Sequence, residues 1–177
     1  MRPRAATDAG SATIEFVFVG VLLLVPLVYL VLALFEVQRN AFAVTEAARE
    51  AGRALSTADD PATAPARAVY AVRLALADQG LTGLAELRWG AVGAGCAGTP
   101  IEVPDVLAPD LSEGGNGLNV HSTVSQGEYP PLVPGSDFEV CVVRVYRVPG
   151  VPGILDGGRN TIQARYVVHV DELRGTS

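Results

Sequence analysis

Residues 10–35 read GSATIEFVFVGVLLLVPLVYLVLALF, and the last nineteen of them, residues 17–35, carry no charge. As an α-helix, nineteen residues extend for about 28 Å, close to the thickness of the hydrocarbon core of a bilayer. A single segment that crosses lipid must be helical, because a helix satisfies its backbone hydrogen bonds internally. The stretch therefore predicts one transmembrane helix near the N-terminus.

Glu15 lies just before this apolar run. A charged side chain at the centre of a span costs about 2.5–3.5 kcal/mol and usually marks a functional site, and the cost falls toward the end of the span. The alternative is a carboxylate in the first helical turn, where the helix dipole stabilises it by about 0.3–1 kcal/mol. Taken alone, the residue leaves both interpretations open.

The residues around Glu15 have a distinctive spacing. If the chain were cut after Gly10, Ser11 would be its first residue and Glu15 its fifth, followed directly by Phe16 and the apolar run. This arrangement resembles the prepilin-peptidase site of type IV pilin-like proteins. In its Glu-Phe form it is most similar to the TadE-like pseudopilins of the tight-adherence (Tad/Flp) pilus system. The resemblance covers residue 10 to about residue 55.

The resemblance implies a minor pilin-like subunit that takes part in the assembly or initiation of a tight-adherence pilus. It implies cleavage after Gly10 on the cytoplasmic side, with the helix retained and Glu15 meeting the new N-terminal amine of a neighbouring subunit. The implied partners are the membrane, a prepilin peptidase, other pilin or pseudopilin subunits and the pilus assembly platform. The implied location is the cell membrane, in a single pass, with the N-terminus cytoplasmic and the C-terminal domain outside.

Composition and charge limit the number of domains and the classes of partner that the chain can have. The chain has 177 residues and a formal charge of −6, which favours one domain beside the span and argues against nucleic acid as a partner. Arginines occur on both sides of the apolar run, so the positive-inside rule does not decide the topology. Ala41-Phe42-Ala43 matches the signal-peptidase pattern, but the apolar run is longer than a signal peptide needs and a polar stretch separates the two.

The two cysteines, Cys96 and Cys141, are an even number. They are compatible with one disulfide in an oxidising compartment, as expected outside the cytoplasm. The alternative is a pair of buried free thiols. In the chain-entropy model a disulfide here would add up to about 4 kcal/mol to the free energy of unfolding.

The predicted organisation is a leader at 1–10, a transmembrane helix at 11–35, a helical stalk at 36–57 and an extracytoplasmic α+β domain at 58–177. Small apolar residues recur every three or four positions along the stalk. They would pack either on neighbouring subunits or on the chain's own domain. Asp60 and Pro61 give a start signal for a second helix ending near Gln79, with Gly80 as its cap. The buried face of that helix should carry Val69, Val72 and Leu76.

From residue 81 the sequence changes to short β-prone runs separated by Gly and Pro. The predicted strands are 84–92, 118–125, 138–148 and 161–170, of which the last two should pair antiparallel. Segments 93–100 and 104–117 are predicted to be exposed loops. The fold class that follows is α+β: a long N-terminal transmembrane helix continuing into a stalk, then a short helix and a small antiparallel sheet.

No constellation typical of an enzyme, a cofactor site or a metal site is present in the sequence. Residues 93–98 match G-x-G-x-x-G, but β-prone residues follow where a nucleotide site needs a helix, so we interpret them as a glycine-rich turn. His121 and His169 lie in separate predicted strands and lack partners at metal-ligand spacing. We therefore predict that the chain is not an enzyme. The main alternative to a pilin-like subunit is a membrane-anchored extracellular binding module unrelated to pili.

Overall fold

The computed structural model of the protein describes residues 9–58, 60–104, 132–147 and 160–171. Two helices are followed by four strands: α1 (Ala9–Ser56), α2 (Ala64–Asp78), β1 (Ala85–Gly90), β2 (Ile101–Val103), β3 (Asp137–Tyr146) and β4 (Asn160–His169). The structure confirms the predicted α+β class, with its long apolar N-terminal helix, its short second helix and its small antiparallel sheet.

The first helix, α1, continues without interruption from the apolar run into the domain. It is 48 residues long and contains Pro26. Its second half contacts α2, β3 and β4, and six apolar residues on that side, four of them alanines, are at most 1% exposed: Ala43, Val44, Ala47, Ala48, Ala51 and Leu55. Of the two interpretations of the small-residue stripe, the structure therefore shows packing on the chain's own domain.

The second helix, α2, begins three residues later than the sequence predicted. Pro61 precedes the helix, which starts at Ala64 and has Pro65 in its first turn. Asp60 closes a turn before it: the side-chain Oδ1 accepts the N–H of Ala62 at 3.0 Å, and the carbonyl accepts the N–H of Ala64 at 3.2 Å. The predicted start was wrong because proline is accepted in the first turn of a helix, and Pro65 meets this condition as well as Pro61 does.

The end of α2 agrees with its prediction. Gly80 has a φ of 64°, a conformation that suits glycine, and its N–H donates to the carbonyl of Ala77 at 2.8 Å. The N–H of Leu81 donates to the carbonyl of Leu76 at 3.0 Å, which completes the Schellman arrangement. The predicted buried face is also confirmed, since three residues are at most 4% exposed: Val69, Val72 and Leu76.

The four strands form one antiparallel sheet in the order β2-β1-β3-β4. Predicted strands 84–92, 138–148 and 161–170 correspond to β1, β3 and β4, and the predicted pairing of the last two is confirmed. Predicted strand 118–125 lies outside the described residues, together with most of the predicted loop 104–117. The register places Leu87, Val142 and Ala164 side by side on the face that the helices cover.

Gly52 allows α1 to lie close to β4. It is buried within α1, and a Cβ atom built on it would lie 2.6 Å from Cδ1 of Tyr166 and 2.8 Å from Cγ2 of Val168. Both distances are shorter than any ordinary carbon–carbon contact. A glycine in a helix interior is destabilising by about 1 kcal/mol relative to alanine, and here it is the residue that permits the helix–sheet contact.

Candidate functional site

From Phe16 to Phe35, α1 is apolar on every side and contributes no residue to the core cluster. Every large apolar side chain from Ile14 to Phe35 is exposed, from 40% for Val31 to 79% for Phe16. By length and composition, α1 is the one helix among the described residues that could cross a membrane. A helix that is apolar all round must be covered either by protein or by lipid, and the described part of this chain does not cover it.

The structure places the residues of the predicted processing motif at the start of α1. The backbone of Gly10 and Ser11 is helical, so a peptidase that cuts between them must first open the beginning of the helix. Glu15 is exposed in the second turn, and the first turn holds no acidic residue. The dipole interpretation, which places Glu15 in the first turn, is therefore wrong for the chain before cleavage.

Glu15 is the only charged residue between positions 9 and 35. Among the described residues, none forms an ion pair or hydrogen bond with its carboxylate. Phe16, beside it, is the most exposed large apolar residue in the described part of the chain. This end of α1 thus presents one carboxylate on an apolar surface, an arrangement that can attract a cation from another molecule.

A group of polar residues begins directly after the apolar segment. Arg39 donates from Nη2 to Oε1 of Glu36 at 3.0 Å. Asn40 donates from Nδ2 to the same Oε1 at 3.0 Å and to the carbonyl of Glu36 at 2.8 Å. Asn40 is fully buried, so the first core residue of α1 lies within about 8 Å of Phe35 along the helix axis.

Arg144 joins α1 to the sheet and to the loop that follows α2. It is 6% exposed and lies on the helix-covered face of β3. Its Nη1 donates to Oδ1 of Asn40, and its Nη2 donates to the carbonyl of Thr82. Buried charges are tolerated when they are hydrogen-bonded, and charge-assisted bonds of this kind are stronger than neutral ones. This contact was not predicted from the sequence, although Arg144 occurs in the same alternation as the core residues Phe138 and Val142.

We expect Asn40→Leu to lower the free energy of unfolding by about 2–3 kcal/mol, because it removes an acceptor from a buried guanidinium. Arg144→Met should also destabilise, whereas the Asn40→Leu/Arg144→Met double variant should lose less than the sum of the two. The measurement is denaturant unfolding of the full chain in detergent, followed by the fluorescence of Trp89, the single tryptophan. If the loss in free energy of unfolding of the double variant equalled the sum of the two single losses, the proposed interaction between Asn40 and Arg144 would be refuted.

The disulfide lies on the other face of the sheet, where Cys141 of β3 meets Cys96 from the turn between β1 and β2. Cys96 and Cys141 are bonded, with their Cα atoms 5.5 Å apart. The disulfide holds the glycine-rich turn of residues 91–98 on the sheet, where the buried carboxylate of Glu139 accepts the N–H of Gly93 at 3.0 Å. Residues 91–100, between β1 and β2, form turns and bends, which agrees with the prediction of a glycine-rich turn.

The histidines give no sign of a metal site within the described residues. His169, on β4, lies 2.6 Å from Oδ1 of Asp137 through its Nδ1, and both side chains are exposed. His121 lies outside the described residues. Within the described ranges, no group of three or more His, Cys, Asp or Glu side chains could hold a metal ion.

No protein-family model, curated protein or solved structure matches the chain. Three features of the chain itself point to a function. They are an exposed apolar helix, one carboxylate near the start of that helix, and a domain attached to the other end of the helix.

Proposed function

We propose that this protein is a single-span, TadE-like minor pseudopilin, processed after Gly10, that takes part in the assembly or initiation of a tight-adherence pilus. The observation that carries the proposal is the exposed Glu15 on a helix that is otherwise apolar to Phe35. The spacing of Gly10, Ser11 and Phe16 around it supports processing of the pilin type. The C-terminal domain would lie outside the cell and the N-terminus in the cytoplasm.

The proposed mechanism is helix bundling guided by charge. Cleavage after Gly10 would give Ser11 a free ammonium group at the edge of the lipid. Two opposite charges 4 Å apart attract by about 4 kcal/mol at an effective dielectric constant of 20, and by more in a drier environment. The carboxylate of Glu15 in one subunit would therefore select the N-terminus of a neighbour and set the axial stagger between their helices.

The alternative signal-peptide interpretation conflicts with the domain core. Cleavage after Ala43 would remove Asn40, which accepts a hydrogen bond from buried Arg144. It would also separate Ala43 from the core cluster that it shares with α2 and the sheet. A buried arginine that loses its acceptor is strongly destabilising, so the folded domain favours retention of α1.

The test is the intact mass of the membrane-extracted protein, with and without a co-expressed prepilin peptidase of the same system. We expect a peptidase-dependent form that begins at Ser11. Gly10→Leu should block the cleavage, because the peptidase must approach the backbone closely. Gly20→Leu is the matched control: it adds the same side chain to the same helix at a position where a Cβ meets nothing, and it should be cleaved normally.

Glu15→Ala separates assembly from processing. This variant should insert and be cleaved, but it should not enter pili with its partner subunits. Glu46→Ala, which removes an exposed carboxylate from the domain half of α1, should assemble normally. A chain that still begins at Met1 in the presence of the peptidase would favour a tethered binding module. Normal piliation with Glu15→Ala would refute the role assigned to this residue.

A further inference from the structure

A pocket of about 340 Å³ opens at the junction between the apolar segment and the domain. Three elements line it: the start of the polar part of α1, the loop between α2 and β1, and the end of β3. The lining residues are Glu36, Arg39, Gly80, Leu81, Thr82, Arg144, Val145, Tyr146 and Arg147. Nothing in the proposed function uses this pocket.

The position of the pocket corresponds to the headgroup layer of a bilayer that surrounds the apolar segment. Arg39 lies four residues beyond Phe35, which is about 6 Å along the helix axis. The polar layer on each side of a bilayer is about 5–8 Å thick. Tyr146, half-buried beside the pocket, belongs to a residue type that is enriched at this depth.

The charge of the pocket is opposite to that of the whole chain. Three guanidinium groups and one carboxylate line it, whereas the protein has a formal charge of −6. Glu36 pairs with Arg39 at 2.9 Å and accepts from Asn40, so its charge offsets that of one arginine and leaves the lining with an excess of two positive charges. The pocket is therefore a positive site on an acidic protein, a charge that suits an anion.

The three arginines of the pocket differ in their exposure and in their hydrogen-bond partners. Arg144 is buried and fixed by Asn40 and Thr82, so it forms the rigid base of the pocket. Arg39 is partly exposed, at 46% of its side chain. Arg147 is exposed and pairs with no side chain in the described part of the chain. Arg39 and Arg147 can therefore reach a ligand without breaking a core contact.

We propose that this pocket binds the phosphate group of an anionic phospholipid and so holds the domain against the membrane surface. Arginine suits this role, because its planar guanidinium donates two parallel hydrogen bonds to phosphate. The inference rests on the membrane span of the proposed function, but it requires neither processing nor pili.

The test uses the full chain in a non-ionic detergent with equimolar phosphatidylglycerol and phosphatidylcholine, and native mass spectrometry counts the bound lipids. An arginine near a membrane surface contributes about fivefold to the binding of an anionic lipid. We expect the wild type to prefer phosphatidylglycerol and Arg39→Gln/Arg147→Gln to lose that preference. Arg53→Gln/Arg67→Gln is the matched control. It removes the same charge away from the pocket, since Arg53 lies in the last turn of α1 and Arg67 near the start of α2, and it should keep the preference.

Other outcomes would overturn the proposal in distinguishable ways. Equal binding of the two lipids by the wild type, or equal losses in both double variants, would show that the pocket has no specific role. Displacement of phosphatidylglycerol by millimolar inorganic phosphate would identify free phosphate as the ligand. Separate alkaline extraction of native membranes tests the span itself: release of the chain would refute both proposals, whereas an integrated chain without lipid preference would refute this one alone.

Discussion

Two arginines in the apolar segment, Leu23→Arg together with Leu27→Arg, should abolish the integration of the chain into membranes. Residues 17–35 contain fifteen Val, Leu and Phe side chains, each of which favours insertion by about 0.3–0.6 kcal/mol near the helix centre. Their sum is about 5–9 kcal/mol, and two central arginines oppose it by about 5–7 kcal/mol. Because the variant also lacks two of the leucines, little driving force remains.

The measurement is flotation of the chain with lipid vesicles after alkaline extraction. Tyr70→Arg/Leu74→Arg is the matched control, since both residues are exposed on α2, at 54% and 49%, with the same spacing of four. The control should float as the wild type does, and one arginine at Leu23 alone should reduce flotation only in part. Full flotation of the Leu23→Arg/Leu27→Arg variant would show that the segment is not held by the lipid interior.

Removal of the disulfide should lower the free energy of unfolding by about 4 kcal/mol, from the loss of chain-entropy constraint on a loop of this length. The bonded residues, Cys96 and Cys141, are 45 positions apart. Cys141 is 1% exposed, so Cys96→Ala/Cys141→Ala also loses packing on the sheet face. The glycine-rich turn of residues 91–98 would lose its covalent link to the sheet but keep other contacts, among them the hydrogen bond from the N–H of Gly93 to Glu139.

Denaturant unfolding of the full chain in detergent, with and without reductant, measures this effect. Reductant should shift the wild type toward the midpoint of the alanine double variant and should leave that variant unchanged. The reductant response of the alanine variant is therefore the internal control. A wild-type midpoint that does not move with reductant would show that the bond contributes nothing to the stability of the domain.

Much of the architecture follows from periodicity in the sequence. The apolar run and the small-residue stripe after it predicted one helix, and the alternation around Ala164 and Val168 predicted β4. The β-prone composition of residues 138–148 predicted β3, and the Gly- and Pro-rich segment between the two runs predicted their pairing. The start of α2 failed because Pro61 and Pro65 are both acceptable near a helix start. Local sequence alone does not decide between them; the turn that Asp60 makes with Ala64 does.

The contacts between the end of the apolar segment and the sheet could not be predicted, because they join residues that are far apart in the sequence. Asn40 and Arg144 are 104 residues apart, and no local pattern relates them. Arg144 nonetheless carried a signal, since it occupies a core-facing position of β3 in register with Ala85 and Ile162. A charged residue in the phase of a buried strand face predicts a polar partner on the covering helix. The partners of the small-residue stripe, α2 and the sheet, are likewise distant in the sequence.

Because α1 is continuous, it fixes the orientation of the domain relative to the apolar segment. No loop separates Phe35 from Glu36, and the domain is attached to the helix from Asn40 onward. One extra residue at that junction would turn the domain by about 100° and move it by about 1.5 Å, whereas seven would restore its bearing to within about 20° at a distance about 10 Å greater. The orientation of the domain around the helix axis is thus set by the number of residues between the apolar segment and the domain.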